Sequence, residues 1–276
     1  MSGTMGGISP VTTYLNDTKN ESKQVASFQA TDPQTKSDIA YFEKVAPKLT
    51  TVDALMKDYR ALTIVLNAFG MSSDIIYPAL VKKVLTQDPT KSSSLAQQMA
   101  SPSYFRAGQA MGQWKTPPFS SASNIAAVVS AYATNSYETQ QATATPGMDT
   151  ALYFKRNASG ITTINGLMSD AKMLSVVVAS LNLSSSFGSL DYSQQVTILT
   201  KAVKLKDFTS PAKVNQMAES YLIQNSQQSS TSVSDPTGAL AILSGISSSS
   251  SNSDPILSAL SGNSSAAAGS LVSLFA

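Results

Sequence analysis

Cysteine and histidine are both absent from this chain of 276 residues, and charged residues make up only 13% of it. Without cysteine there is no disulfide, no thiolate nucleophile and no cysteine-ligated metal. Without histidine the commonest general base and metal ligand is missing. Long apolar runs are lacking too, so no membrane span is expected. The opening stretch, residues 1–10, has no basic segment followed by an apolar one, so no cleaved secretory signal is expected. Any export would then use a route that needs none. Basic residues are only 19 in number for a net charge of +2. Lys82-Lys83 and Lys201, Lys204 and Lys206 come nearest to clusters, and solvated helix faces explain them, so no nucleic-acid partner is expected. Strand-like alternation of useful length is nowhere to be found, which points to an all-α fold.

What the chain does have is an internal repeat. Ile39–Ser73 aligns without a gap on Ala151–Ser185 at a constant offset of 112, with 12 of 35 pairs identical. Tyr41/Tyr153, Phe42/Phe154, Asp58/Asp170 and Leu62/Leu174 are among them. Such self-similarity marks one helical module used twice. Thr50-Thr51 reads as a helix N-cap, and apolar residues from Val52 to Phe69 recur at helical steps. Asp58 and Asp170 interrupt the two stripes at the same place and are expected to cap a second helix. Gly70 and Asn182, the residues that best tolerate a left-handed backbone, are expected to end it. Ser72-Ser73-Asp74 is then expected to cap a helix over 75–86. Downstream, Ser94–Ser103 is aligned on Ala212–Tyr221 at offset 118 through a shared Gln-Met-Ala. The methionines at 56, 99, 168 and 217 are expected in the core, and Trp114 is expected to pack at a module edge.

These readings divide the chain into a mobile N-terminal arm (1–33), a first helical module (34–114), a connecting helical segment (115–147), a second module (148–225) and a flexible tail (226–276). The arm has an alternative reading as a helix that forms only against a partner. The tail contains no Lys or Arg and only two acids, Asp235 and Asp254. Each acid precedes a proline and a short apolar turn ending in glycine, the pattern of a capped helix. Such helices are too short to stand alone in water. Leu240, Ile242, Leu243, Ile256, Leu257, Leu260, Leu271, Leu274 and Phe275 are the apolar positions expected to dock on a partner.

Catalytic signatures are missing. There is no GxGxxG, phosphate loop or GxSxG, and a pair such as Glu138/Asp149 lacks a loop framework. A Ser–Lys hydrolase stays open only because both residue types are present. No catalytic, cofactor-binding or metal-binding residue is assigned.

Several stretches resemble a bacterial family of unknown function, DUF1217. They are Asp53–Leu62, Leu66–Ile75, Lys83-Val-Leu with Asp88-Pro and Leu95-Ala, then Ala151–Ala158 and Leu205–Pro211. Coverage is about residues 35–225. Members of that family lie in flagellar gene neighbourhoods, so the resemblance implies a flagellum-linked role and no activity. The expectation is a non-enzymatic, exported flagellar structural or assembly protein that contacts itself, other flagellar proteins or an export chaperone. The alternatives are a cytoplasmic adaptor or chaperone of flagellar assembly, with a groove between the repeats, and, more weakly, the Ser–Lys hydrolase.

Overall fold

Helices begin here where the sequence supplies a cap or a proline. In a computed structural model that describes residues 9–231, thirteen α-helices are joined by short 3-10 turns, and no strand occurs among the described residues. The first half holds α1 (Pro10–Thr31), α2 (Pro33–Val45), α3 (Val52–Lys57), α4 (Tyr59–Ala68), α5 (Pro78–Thr86), α6 (Leu95–Gln98) and α7 (Pro102–Met111). The second holds α8 (Ala122–Ala144), α9 (Met148–Asn157), α10 (Ile164–Met168), α11 (Ala171–Ser180), α12 (Tyr192–Ala202) and α13 (Pro211–Thr231). Residues up to Ser230 form one compact unit. No helix among the described residues is long and apolar enough to cross a membrane.

The stretches related by offset 112 carry the same elements in the same order. α2 and α9 each run into a 3-10 turn, at Ala46–Lys48 and Ala158–Gly160, and a short and a longer helix follow. Thr51 and Thr163 cap the short helices by accepting from the amides of Ala54 and Gly166. Asp58 and Asp170 cap the longer ones through Ala61 N (3.0 Å) and Met173 N (3.1 Å). The second oxygen of each carboxylate is held by a tyrosine, Tyr41 at 2.8 Å and Tyr153 at 2.7 Å. Both longer helices then end on a left-handed residue, Gly70 at φ +73° and Asn182 at φ +50°. Met71 N bonds back to Leu66 O and Leu183 N to Val178 O, the six-to-one closure of a Schellman motif.

Each stretch has its own core. One gathers Phe42, Leu55, Leu66, Leu85 and Met111; the other gathers Phe154, Leu167, Val177, Leu199 and Phe208.

Four expectations are corrected. Residues 10–31 are no mobile arm: they form α1, with Tyr14 wholly buried and packing on α8 and α9. Its polar composition hid an interface made by two aromatics and hydrogen bonds. The segment 115–147 does more than connect, because α8 inserts Val128, Val129, Tyr132 and Ala133 into the first core. The helix expected over 75–86 starts at Pro78, after a 3-10 turn over Ser72–Ile76. Proline drives the preceding Tyr77 out of the helical region, to φ −116° and ψ 70°, so the two cannot be continuous. The offset of 118 also fails. Gln98-Met99-Ala100 ends α6, with Ala100 at φ +48°, whereas Gln216–Ala218 lies inside α13. The corresponding start signals are Ser101-Pro102 and Ser210-Pro211, each opening a helix. The tail positions from Leu240 to Phe275 lie outside the described residues.

Candidate functional site

A cleft of about 710 Å³ opens between the two related stretches. One wall is the left-handed end of α4, Gly70 with Ser72, Ser73 and Asp74, together with the turn from α6 to α7. The other is the α10–α11 junction, Asn165 to Lys172, with Tyr192 at the start of α12. α8 supplies the floor through Asn135, Glu138 and Thr139. The walls are tied where the Ser169 hydroxyl donates to Ala100 O at 2.9 Å. That carbonyl is available because Ala100 takes a left-handed turn and its peptide cannot continue α6.

A buried polar chain runs under the floor. Arg156 of α9 donates through Nε (2.8 Å) and Nη2 (2.9 Å) to the carboxylate of Glu138, whose side chain is 4% exposed. Arg156 also donates to Asn135 Oδ1, and Asn135 Nδ2 donates to Asn67 O of α4. The chain therefore links α9, α8 and α4. Burial pushes the Glu138 carboxyl up, and the guanidinium opposes it without cancelling it. Burial would lower Arg156, but the hydrogen bonds and charge of Glu138 more than offset this and hold it charged. The bidentate geometry is what makes such a buried pair tolerable.

Asp170, in its capping role, lines the cleft beside Tyr153, and Gly70 lies against that same ring. A Cβ on Gly70 would stand 3.6 Å from Tyr153 Cε2. Asp58 is not in the cleft lining and Asn182 is not either, so of the four caps the cleft takes one from each stretch. Asp74 is raised by burial, against a hydrogen bond from Tyr104, whose hydroxyl is itself pushed up to about 12. Met99, expected in the core, is 49% exposed at the rim, with Tyr192 at 59%. Trp114 packs edge-on to Phe119 at 6.0 Å in the first core.

Chemically the cleft offers hydroxyls, amides and two exposed apolar side chains. Its one lining lysine, Lys172, is bound to Asp149 at 2.7 Å and stands 5.5 Å from the Tyr153 ring centroid. Among the described residues, no group of three or more acidic side chains is placed to hold a metal ion.

The family model described as "Protein of unknown function (DUF1217)" matches residues 68–214. The crystal structure of protein AGR_C_984 from Agrobacterium tumefaciens has the same fold, with a TM-score of 0.69 at 21% identity. The match covers 79% of this chain and 93% of that one. No curated protein matches this chain.

Proposed function

The chain belongs to the DUF1217 family, and from that membership we propose that it is a non-enzymatic, flagellum-associated structural or assembly protein working through protein–protein contacts. The observation that carries the non-enzymatic part is the cleft itself: its lysine is committed to an ion pair, and its polar lining suits main-chain and side-chain hydrogen bonding. The flagellar part rests on the sequence resemblance and the gene neighbourhoods it implies. A surface poor in charge and free of cysteine suits export without a cleaved signal and assembly outside the cell. The tail, whose sequence sets cap signals before short apolar stretches, is the proposed assembly element. The test is fractionation of flagellated cells with and without a working export apparatus. Recovery in purified flagella, lost when export is blocked, supports the reading.

A second reading has its own support. The exposed Met99 and Tyr192 on the rim of an inter-stretch cleft suit a cytoplasmic adaptor that holds a partner segment. Recovery in the cytosol alone, in both strains, favours that adaptor.

A further inference from the structure

Each of the two cores is completed by the helix that leads the other stretch. α8 immediately precedes α9, yet Val128, Val129, Tyr132 and Ala133 are buried in the first core. Tyr132 donates from there to Asp38 at 2.6 Å. α1 immediately precedes α2, yet Tyr14 and Phe28 are buried in the second core. There the Tyr14 hydroxyl donates to Asn215 of α13 at 2.9 Å, and Lys155 of α9 pairs with Glu21 at 2.6 Å. α1 begins at Pro10 and α8 at Ala122, the same offset of 112 that relates the elements after them. This is the connectivity of a helix-swapped dimer written into one chain.

We propose that α1 is an exchangeable donor helix, and that its seat on α8, α9 and α13 accepts the α1 of a second copy of this chain. The proposal goes beyond the flagellar reading and does not depend on it. Swapping preserves every contact of α1 and changes only the hinge, so its free-energy difference is set by the hinge alone. That hinge is one residue, Asp32, at φ −74° and ψ 116°, followed by Pro33. Proline keeps Asp32 extended, its carboxylate caps α2 by accepting from Thr35 N at 2.7 Å, and a hinge of one residue leaves little slack between α1 and α2, the kind of short connection that favours exchange over closure.

The seat is also one that α1 can leave. Asp17 is buried with one carboxylate oxygen lacking any hydrogen-bond partner. The helix breaks at Asn20, at φ −123° and ψ 18°. Beyond the break a second cleft, about 720 Å³ and lined by Lys23, Ser27, Gln140 and Gln141 among others, opens beside the contact of α1 with α8. Tyr14 and Phe28 supply the specificity, the latter edge-on to Tyr137 at 5.9 Å.

Because the chain has no cysteine, single cysteines report cleanly. Asn16 and Gln216 are exposed and flank the Tyr14–Asn215 contact. Full-length protein carrying Asn16→Cys with a donor dye is mixed with protein carrying Gln216→Cys with an acceptor. The mixture is concentrated, warmed below its melting point, cooled, and sized by light scattering. The expected result is dimers and longer chains whose energy transfer, for an equal mixture, is about half that of a monomer labelled at both sites, because half of the donor helices land on an acceptor-labelled seat. A Gly-Gly-Ser insertion after Asp32 should cut the oligomer fraction by about tenfold, because a longer hinge favours closure in one chain. Pro33→Ala, the gentler hinge change, should cut it in the same direction and covers the case of an insertion that does not fold. Monomer throughout, oligomers without transfer, or oligomers indifferent to both hinge changes would overturn the proposal.

Discussion

Two left-handed glycines show how the same backbone demand can carry different consequences. Gly70 and Gly147 have φ of +73° and +85°. Around Gly70 an added Cβ meets nothing nearer than 3.6 Å, but at Gly147 it would stand 2.7 Å from Asn225 Nδ2 and 3.1 Å from Tyr221. Gly70→Ala should therefore cost about 1 kcal/mol, the backbone penalty alone, and Gly147→Ala clearly more. Equal midpoints in urea would refute that ordering. Buried carboxylates differ in a comparable way. Burial raises Asp17 above its usual range, opposed only in part by Tyr137 and Gln24. Asp38 is buried too, but hydrogen bonds from Tyr132, Gln34 and Arg60 outweigh this and lower it. Asp17 thus costs stability at neutral pH, and the cost fades as pH falls through its raised value towards 3.8. Asp38 contributes stability above 3.8 that is lost as pH falls through its lowered value. Asp17→Asn should stabilise by about 1 kcal/mol at pH 7, with the gain vanishing below pH 3.8 in denaturation curves taken across pH. A gain that persists in acid would show that charge is not its cause.

At the level of elements, α8 is the helix on which both halves depend. Its first half faces the first core, Tyr137 enters the second, and Glu138 anchors Arg156 of α9. Glu138→Gln takes the counter-charge from Arg156, whose side chain is itself 29% exposed, and a loss of about 1–3 kcal/mol is expected. Lys82→Ala, which removes the exposed pair with Asp53, should leave the stability nearly unchanged. Chemical denaturation of the two variants measures both, and similar losses would mean that the carboxylate of Glu138 is better solvated than its 4% exposure implies. Helix ends are where local sequence was most readable. Asp58, Asp170, Gly70 and Asn182 act through backbone groups within a few residues, so their roles follow from spacing. Pro78 is equally local, but the serines and aspartate before it also resemble a cap and draw the expected start upstream.

For the whole molecule, mutual completion of the cores predicts cooperative unfolding across residues 9–230. Trp114 is the single tryptophan and packs in the first core, whereas Phe154 is fully buried in the second. Phe154→Ala should destabilise by about 3–5 kcal/mol, and the Trp114 fluorescence transition should shift with the circular-dichroism transition. A fluorescence transition that stays in place would mean that the cores unfold independently. The cleft belongs to this scale. It joins Gly70 from one stretch to Asp170 from the other, and nothing in either local pattern says that those ends meet.

Sequence alone determined the all-α class, the offset of 112, the caps and the left-handed ends, because helix periodicity and capping are governed by residues within about one turn of one another. Tertiary structure decided where the polar helices go. α1 looks like a mobile arm because its apolar residues are few, and only the second core, more than a hundred residues along the chain, gives Tyr14 and Phe28 a place to be buried. Met99 looked like core and stands at a rim, since a single apolar side chain carries no information about which side of a turn faces solvent. The pairing of Glu138 with Arg156 was likewise invisible, because a buried charge is tolerated only when a partner arrives from another helix, and its arrival is a property of packing rather than of spacing.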